Sequence, residues 1–393
     1  GVTGSIAAYK AADLASKLTQ AGAQVDVILT TGAAHFVTPL TFQSVTGRRA
    51  YTDGELWGSD AHVLHIGLGH TADLLAVVPA TANTIAKLAH GMADNLLTVT
   101  ALAATCPLLI APAMDGGMFD HPATQANLAT LQSRGAHIIG PETGHLASGL
   151  TARGRLTEPL VVRDEIRRLL ARGGPLAGRK VVVTAGGTRE AIDPVRYITN
   201  RSSGRQGYAV AQAALDAGAA VTLITTMDLT PPVGAVVTSV TSAQEMTAAV
   251  LAAAADADVL IMAAAVADFR PAVVAEQKIK KGNEKDAPVI TLARTADILA
   301  TVNTELRPTG RPLVVVGFAA ETQDLLANAQ SKLTRKGLDM IVANDVSASD
   351  AGFGVATNRV TILHRDGRQE VLPLLKKEEV AAELIARVAA QVD

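Results

Sequence analysis

Cysteine is almost absent from this 393-residue sequence, in which Cys106 is the only one. An internal disulfide is therefore excluded, and the apolar residues around Cys106 indicate a buried core thiol. Neither sign of charge is in large excess, because the formal net charge is −2, and the longest basic cluster is the short segment 278–281. Such a chain lacks the broad basic surface that nucleic acids require. A small anionic ligand fits this composition better.

Long apolar runs are missing as well. None approaches the ~18 residues that a membrane helix needs, and residues 1–10 lack the charged and then apolar order of a secretory leader. These absences predict a cytoplasmic protein that binds no membrane. The turn at residues 1–4 normally follows a strand, so we also expect a strand ahead of it.

Apolar residues make up 48% of the chain and charged residues only 18%, which is enough to bury a core throughout. Short Val, Ile and Leu runs recur between Ala-rich amphipathic stretches, a pattern typical of a parallel sheet covered on both faces by helices. The predicted strands of the first half are 25–30, 74–79, 108–112 and 137–141. Those of the second half are 180–184, 220–225, 259–266, 313–318 and 340–343.

An Arg-rich predicted helix at 161–172 is followed by Gly-Gly-Pro at 173–175, which breaks regular structure. We therefore predict two α/β domains, 1–172 and 173–393. Asp366-Gly367 lies between the apolar runs 359–364 and 369–374 and predicts a hairpin. An antiparallel edge is thus expected to close the second sheet before a final helix from about Lys377.

Three small or polar segments of the first half lie at predicted strand ends. Gly4 and Ser5 begin a helix whose free N–H groups and positive dipole end favour phosphate. Residues 79–84 and 111–119 follow two further strands, at the edge where open α/β sheets bind ligands. For the first segment, a glycine needed only for a tight turn remains an open alternative.

In order along the chain, GSIAAYK (4–10), HIGL (65–68), PATANT (79–84) and PAM (112–114) resemble the flavin-dependent cysteine decarboxylases of coenzyme A synthesis. The resemblance implies a flavodoxin-like fold that binds FMN between subunits of a trimer. His65 then matches the catalytic base, and Met114 matches a substrate contact. The implied flavin contacts are Gly4, Ser5, Ile6 and Thr30 at the phosphate end, and Thr81, Ala82, Asn83 and Thr84 at the isoalloxazine.

In the implied mechanism, FMN oxidises the substrate thiol, the resulting thioaldehyde accepts the electrons freed by decarboxylation, and the enethiol product is then protonated and reduced. Two catalytic positions depart from the family pattern. Asp115 replaces an asparagine, and Ser148 replaces the cysteine of a flap, although serine is a far weaker acid. We expect Asp115 to supply the missing proton. The alternative is a flavin-binding or oligomerising domain that does not decarboxylate.

In the second half, residues 193–207 read DPVRYITNRSSGRQG and lead into an amphipathic helix. Ser, Gly and Arg at a helix start suit phosphate oxygens, although an ordinary N-cap would contain the same residue types. With AAAVADF (263–269), KIKK (278–281), GFAAET (317–322) and ANDV (343–346), the string resembles bacterial phosphopantothenate–cysteine ligases. Fusion behind a decarboxylase also matches the bacterial bifunctional proteins.

This resemblance implies that 4'-phosphopantothenate, cysteine and CTP are the substrates and that an acyl-cytidylate is the intermediate. Lys278 matches the catalytic lysine, Asn200 the residue that holds the intermediate, and Arg196 a further substrate contact. Mg²⁺ accompanies the triphosphate, with no protein ligand predicted, and the ligase contributes dimeric contacts to a homo-oligomer. The implied nucleotide contacts are Ala264, Asp268, Phe318, Lys332 and Lys336.

A dehydrogenase with two dinucleotide-binding domains would show the same alternation of strands and helices. It would also contain a complete G-x-G-x-x-G turn with an acidic residue about 20 positions later. Neither half of the sequence combines these features. The sequence therefore favours two linked enzymes of coenzyme A synthesis.

Overall fold

The computed structural model describes residues 1–57, 61–147, 149–280, 289–321, 324–345 and 357–392. The chain divides into two compact units, unit 1 (Gly1–Leu170) and unit 2 (Ala171–Asp393). Each hydrophobic core cluster contains residues of one unit alone. Within the described ranges, no helix is long and apolar enough to cross a membrane.

Unit 1 is built on parallel strands. β1 pairs with β2, and β3, β4 and β5 lie side by side in that order. Residues 1–3 connect the two sets, because the Val2 N–H donates to Ile28 O and the Val78 N–H donates to Gly1 O, each at 2.8 Å. The strands are β1 (Val27–Leu29), β2 (Ala50–Thr52), β3 (Leu75–Ala80), β4 (Leu108–Pro112), β5 (His137–Ile138) and the hairpin β6 (Glu142–His145) with β7 (Thr151–Arg155).

Helices cover both faces of this sheet. Val77 packs with α5, α6 and α8 on one face, whereas its neighbour Val78 packs with α1 and α9 on the other. This alternation confirms the three-layer, flavodoxin-like arrangement. The helices are α1 (Ala8–Gln20), α2 (Thr31–Ala34), α3 (Pro39–Thr46), α4 (Ala61–Thr71), α5 (Ala82–His90), α6 (Leu96–Ala103), α7 (Gly116–Asp120), α8 (Pro122–Ser133) and α9 (Pro159–Leu170).

Unit 2 contains a larger, mixed sheet. Its strands are β8 (Lys180–Ala185), β9 (Arg189–Ala191), β10 (Tyr197–Thr199), β11 (Ala220–Thr225), β12 (Val236–Ser239), β13 (Val259–Met262), β14 (Phe269–Pro271), β15 (Leu292–Arg294), β16 (Val314–Glu321), β17 (Met340–Asp345), β18 (Thr357–Asn358), β19 (Val360–His364), β20 (Gln369–Val371) and β21 (Leu375–Lys376). In the described residues, eight strands join in the order β12-β11-β8-β13-β16-β17-β19-β20. The pairs up to β17 are parallel, and β19 and β20 add the predicted antiparallel edge.

Two groups of helices cover the large sheet. Val181 and Val183 pack towards α10 and α14, whereas Val182 between them packs towards α11 and α13. Strands covered on both faces are apolar on both sides, which explains why the parallel strands could be predicted from their uniformly apolar sequences. The helices are α10 (Arg205–Asp216), α11 (Ala243–Ala254), α12 (Ile298–Thr301), α13 (Leu325–Arg335) and α14 (Lys377–Val392).

Candidate active sites

In unit 1, a close backbone approach forms a cradle at the start of α1. A Cβ atom on Gly4 would lie 2.9 Å from the carbonyl carbon of Gly32, which leaves no room for a side chain. Thr30 caps the adjacent α2 by accepting a hydrogen bond from Ala33 N at 3.3 Å. Gly4 and Thr30, both predicted flavin contacts, are thus brought to the same strand ends.

Thr3 connects this cradle to the end of β3. Its hydroxyl donates to Pro79 O at 2.7 Å and accepts from Thr81 N at 3.0 Å. Thr81 in turn caps α5, because its hydroxyl accepts from Thr84 N at 3.4 Å. The other two predicted residues of this segment, Ala82 and Asn83, lie in the first turn of α5.

A cavity of about 520 Å³ opens beside the cradle and is lined by Ser5, Ile6, Met114 and Asp115. Asp115 also caps α7, since its carboxylate accepts from Gly117 N at 3.0 Å. Ser148 lies outside the described residues. The lining residues that were not predicted include four with polar or aromatic side chains: Tyr9, Lys10, His145 and Arg155. Tyr9 and Lys10 lie close to Ile6 in sequence, and His145 and Arg155 lie in the hairpin β6–β7.

His65 lies on α4 and is half-buried. Its Nδ1 is buried and has no hydrogen-bond partner in the described part of the chain. Leaving such an atom unpaired costs about 1–3 kcal/mol, so the arrangement fits a bound group that completes the site. His65 is not among the described residues that line the 520 Å³ cavity.

Unit 2 contains a larger cavity of about 770 Å³ at the carboxyl ends of β13, β16 and β17. These ends meet because the strands are parallel neighbours, and such edges are the ligand sites of open α/β sheets. The structure brings six predicted residues together in its lining: Asn200, Ala264, Asp268, Phe318, Lys332 and Lys336.

The larger cavity has a cationic lining. Six of its side chains are basic and two, Asp268 and Asp297, are acidic. The first turn of α10 also lines it, and this helix begins after Gly204 in the left-handed region (φ 72°) without a side-chain cap. Uncapped N–H groups at a helix start attract phosphate oxygens. The arrangement suits a polyanion such as a nucleoside triphosphate.

Lys377 is an unpredicted part of this lining and is only 5% exposed. Burial lowers the pKa of its ammonium group, and the charge of nearby Arg205 lowers it further. A sequence signal was available, because Lys377 lies three and four residues before Val380 and Ala381, on the buried face of α14. A charge at such a position indicates either a structural pair or a site.

Asn344 ends a chain of amide contacts at the cavity wall. Its Nδ2 donates to Asn358 Oδ1 at 3.4 Å, and Asn358 Nδ2 donates to Gln206 Oε1 at 2.9 Å. Asn344 Oδ1 is buried and has no partner among the described residues. It therefore presents an acceptor to a ligand donor or a cation.

Two predicted ligase residues do not line the larger cavity. The guanidinium of Arg196 instead pairs with the buried carboxylate of Asp193, and Arg196 Nη2 also donates to Ile279 O at 2.9 Å. Lys278, next to Ile279, is exposed. Arg196 lies in the turn of the hairpin β9–β10, and Ile279, the neighbour of Lys278, bonds to that turn, whereas Asn200 follows the other end of the hairpin.

Comparison with known proteins places both units in described families. Residues 1–170 match the family described as Flavoprotein, and residues 176–392 match the DNA/pantothenate metabolism flavoprotein C-terminal domain. The coenzyme A biosynthesis bifunctional protein CoaBC of Bacillus subtilis (strain 168) is 47% identical over 393 residues, covering 99% of this chain and 95% of that protein.

The protein of the same name from Mycobacterium bovis (strain ATCC BAA-935 / AF2122/97) is 47% identical over 398 residues, covering 98% of this chain and 94% of that protein. A crystal structure of the C-terminal domain of such a bifunctional protein shares 40% identity. The match covers 56% of this chain and 97% of the crystallised chain, with a TM-score of 0.47.

Proposed function

This chain belongs to the coenzyme A biosynthesis bifunctional proteins, and from that premise we propose that unit 1 is their phosphopantothenoylcysteine decarboxylase and unit 2 their phosphopantothenate–cysteine ligase. The chain is thus a bifunctional enzyme, and its first unit is a flavoprotein domain.

The observation that carries the ligase proposal is the cationic 770 Å³ cavity at the uncapped start of α10. In the first step, a carboxylate oxygen of 4'-phosphopantothenate attacks the α-phosphorus of CTP, the bond to the β-phosphate breaks, and pyrophosphate leaves. In the second, the cysteine amine attacks the acyl carbon, CMP leaves and the nitrogen loses a proton. Both leaving groups are anions, which the basic lining stabilises.

Mg²⁺ is proposed to enter with the nucleotide. In the described ranges, no cluster of three or more His, Cys, Asp and Glu side chains could hold a metal ion. This donor set fits an ion bound mainly by phosphate oxygens, as Mg²⁺ often is. Asp268 and the free Oδ1 of Asn344 are the oxygens of the lining that we propose to approach it.

Asn200 is proposed to hold the acyl-cytidylate. Its Nδ2 donates to Val266 O at 3.1 Å and to Ala265 O at 3.4 Å, so the amide is oriented against the cavity wall. Asn200→Asp would remove both donations and place a second negative group beside an anionic intermediate. We expect ligation to fall about 100-fold, measured as pyrophosphate release, with decarboxylation unchanged. Normal ligation by this variant would remove Asn200 from the site.

The residues of unit 1 fit FMN. The Gly4–Gly32 approach holds the starts of α1 and α2 together, and the caps Thr30 and Thr81 bring polar groups to the same strand ends. His65 Nδ1 has no hydrogen-bond partner in the described part of the chain, so it is available to the substrate rather than needed by the flavin. When bound, FMN supplies the electron sink without which a saturated carbon does not release carbon dioxide. Around it we propose that His65 accepts a substrate proton and that Met114 packs against the substrate.

Asp115 is proposed to donate the proton that the resemblance assigns to a flap cysteine, at the position of Ser148. We expect the wild-type enzyme to form phosphopantetheine despite Ser148. Asp115→Asn should slow product formation about 10- to 100-fold, because general acid catalysis contributes at least that much. Mass analysis should then show the unsaturated enethiol accumulating. Asp120→Asn, at the other end of α7 and exposed, is the matched control.

Ser148→Cys should restore turnover to the Asp115→Asn variant, because this pair of changes recreates the family pattern. If the wild-type protein itself accumulates the enethiol, Asp115 does not compensate for serine. If no carbon dioxide appears at all, unit 1 is a flavin-binding or oligomerising domain and only the ligase proposal survives.

Exposed apolar side chains support a homo-oligomer, in which unit 1 makes trimeric contacts and unit 2 dimeric ones. In unit 1 they include Trp57, which is 87% exposed, with Val63 and Ile66 on α4. In unit 2, Val273 and Val289 beside the β14–β15 hairpin are 83% and 92% exposed. Exposed apolar side chains mark interfaces where they lie together on one surface. Mass measurement in solution tests this arrangement.

The experiment that tests both activities together uses the purified protein with phosphopantothenate, cysteine, CTP and Mg²⁺. We expect phosphopantothenoylcysteine to form first and phosphopantetheine to follow, identified by mass. Omission of CTP should stop both products. Supplied phosphopantothenoylcysteine should restore only the second.

A further inference from the structure

Asp193, which no prediction singled out, is the centre of a dense polar contact. Its side chain is fully buried, and each of its two carboxylate oxygens accepts at least two hydrogen bonds. Oδ1 accepts from Val195 N and Arg196 N, each at 2.9 Å. Oδ2 accepts from Arg196 Nε at 2.9 Å, Arg196 Nη2 at 2.5 Å and Ile279 N at 3.2 Å.

These contacts fix the backbone beside Lys278. The N–H of Ile279 donates to Asp193, and its carbonyl accepts from Arg196 Nη2 at 2.9 Å. The peptide plane that joins Lys278 to Ile279 is therefore held directly by Asp193. A further bond from Ala275 N to Ile192 O at 3.0 Å aligns the preceding residues along the same turn.

The same hairpin reaches the larger cavity. Its turn carries Asp193 and Arg196, and β10 leads from that turn to Asn200 in the cavity lining. β9 and β10 pair over three residues each, so the hairpin is a continuous, hydrogen-bonded connection. Lys278 is thereby tied to the element that carries Asn200, although Lys278 itself does not line the cavity.

We propose that Asp193 is a positioning residue for ligation, which sets the backbone at Lys278 through the Ile279 peptide and Arg196. The inference rests on the proposed ligase function and on the catalytic role that the resemblance gives Lys278, whose cation would neutralise charge growing on the transferred phosphate. The hydrogen bonds from Arg196 lower the pKa of the Asp193 carboxyl, so the group stays ionised at neutral pH. Five donors surround it, and only a carboxylate accepts from all of them.

Asp193→Asn tests this role with almost no change in volume. An NH₂ group cannot accept a hydrogen bond. In place of Oδ2 it would lose the bond from Ile279 N, and in place of Oδ1 it would lose the bonds from the turn. We expect kcat for ligation to fall about 10- to 100-fold, the scale of a small misplacement of a reacting group. The KM for CTP should change less than about threefold on the same reasoning, because the cavity lining is intact. Pyrophosphate release without cysteine should fall as much as ligation.

Asp258→Asn is the matched control. Asp258 is also buried, accepts from Lys180 N at 2.8 Å and pairs with Arg311, but it directly precedes β13, at the amino ends of the strands and away from the cavity. Both variants should lower the melting temperature of unit 2, whereas only Asp193→Asn should lower kcat. Decarboxylation should stay normal in both.

Asp193→Glu keeps the charge and shifts the clamp by one methylene, so it serves if the asparagine variant does not fold. We expect it too to lower kcat and to speed amide exchange at Ile279. Wild-type kcat in either folded Asp193 variant, or an equal loss in Asp258→Asn, would overturn the inference. Absence of ligation in the wild-type protein would instead refute the proposed function.

Discussion

Replacing Lys278 with glutamine is expected to abolish ligation while decarboxylation of supplied phosphopantothenoylcysteine continues at the wild-type rate. The physical reason is the loss of a cation opposite the charge that develops on the transferred phosphate, where removal of one stabilising group typically costs about 100- to 1,000-fold. Lys278 is exposed and lies outside the cavity lining. CTP binding, measured by calorimetry, should therefore be nearly unchanged.

Lys280→Gln is the matched control, because Lys280 is equally exposed and lies two residues away in the same segment. It should ligate at close to the wild-type rate. Equal losses in the two variants would show that the segment contributes general positive charge rather than one placed group. Loss of decarboxylation in folded Lys278→Gln would contradict the assignment of separate sites to the two units.

The second large effect is expected at His65. His65→Asn should reduce carbon dioxide release by about 100-fold or more, because a positioned acid or base contributes about that factor. Ligation by unit 2 should be unaffected. The flavin content of the purified variant, measured by its visible absorbance, should match that of the wild-type protein, since the Gly4 cradle is untouched.

His70 offers the comparison within the same helix, since it is exposed in the last turn of α4. His70→Asn should decarboxylate normally. A His65→Asn protein that turns over at the wild-type rate would exclude His65 as the base. One that lacks flavin would assign the residue to cofactor binding instead.

The sheets were largely predictable because their interior strands are uniformly apolar. The predicted strand 108–112 matches β4 in both bounds, and 220–225 matches β11. The prediction for 259–266 was too long, since β13 ends at Met262 and the following residues line the cavity instead of continuing the ladder. Apolar character alone does not distinguish a buried strand from the apolar wall of a site.

The small hairpins were not predictable in the same way. β9 and β10 contain three residues each, among them Arg189, Glu190 and Tyr197. No period-2 apolar pattern appears over such a length, and the pairing depends on contacts made elsewhere. The clamp on Ile279 was invisible for the same reason, because it joins residues 193 and 279, which are far apart in sequence.

The candidate sites were identified by resemblance more than by physical pattern. A helix start rich in Ser, Gly and Arg predicted phosphate binding at residues 202–207, and these residues do line a cationic cavity. That Lys332 and Lys336 lie in the same cavity follows from the order of the strands, which the sequence does not state. The roles of individual residues remain predictions, and Ser148 lies outside the described residues.

The close approach of Gly4 and Gly32 limits which substitutions evolution can accept at these two positions. A Cβ on Gly4 would collide with the backbone of Gly32, whereas one on Gly32 would lie 3.4 Å from the Gly4 Cα and meet nothing closer. The two glycines are therefore unequal under selection. Position 4 has no acceptable substitute without movement of the main chain, but alanine at position 32 requires a shift of only tenths of an ångström. Variation among descendants of this chain should accordingly accumulate at position 32 before it appears at position 4.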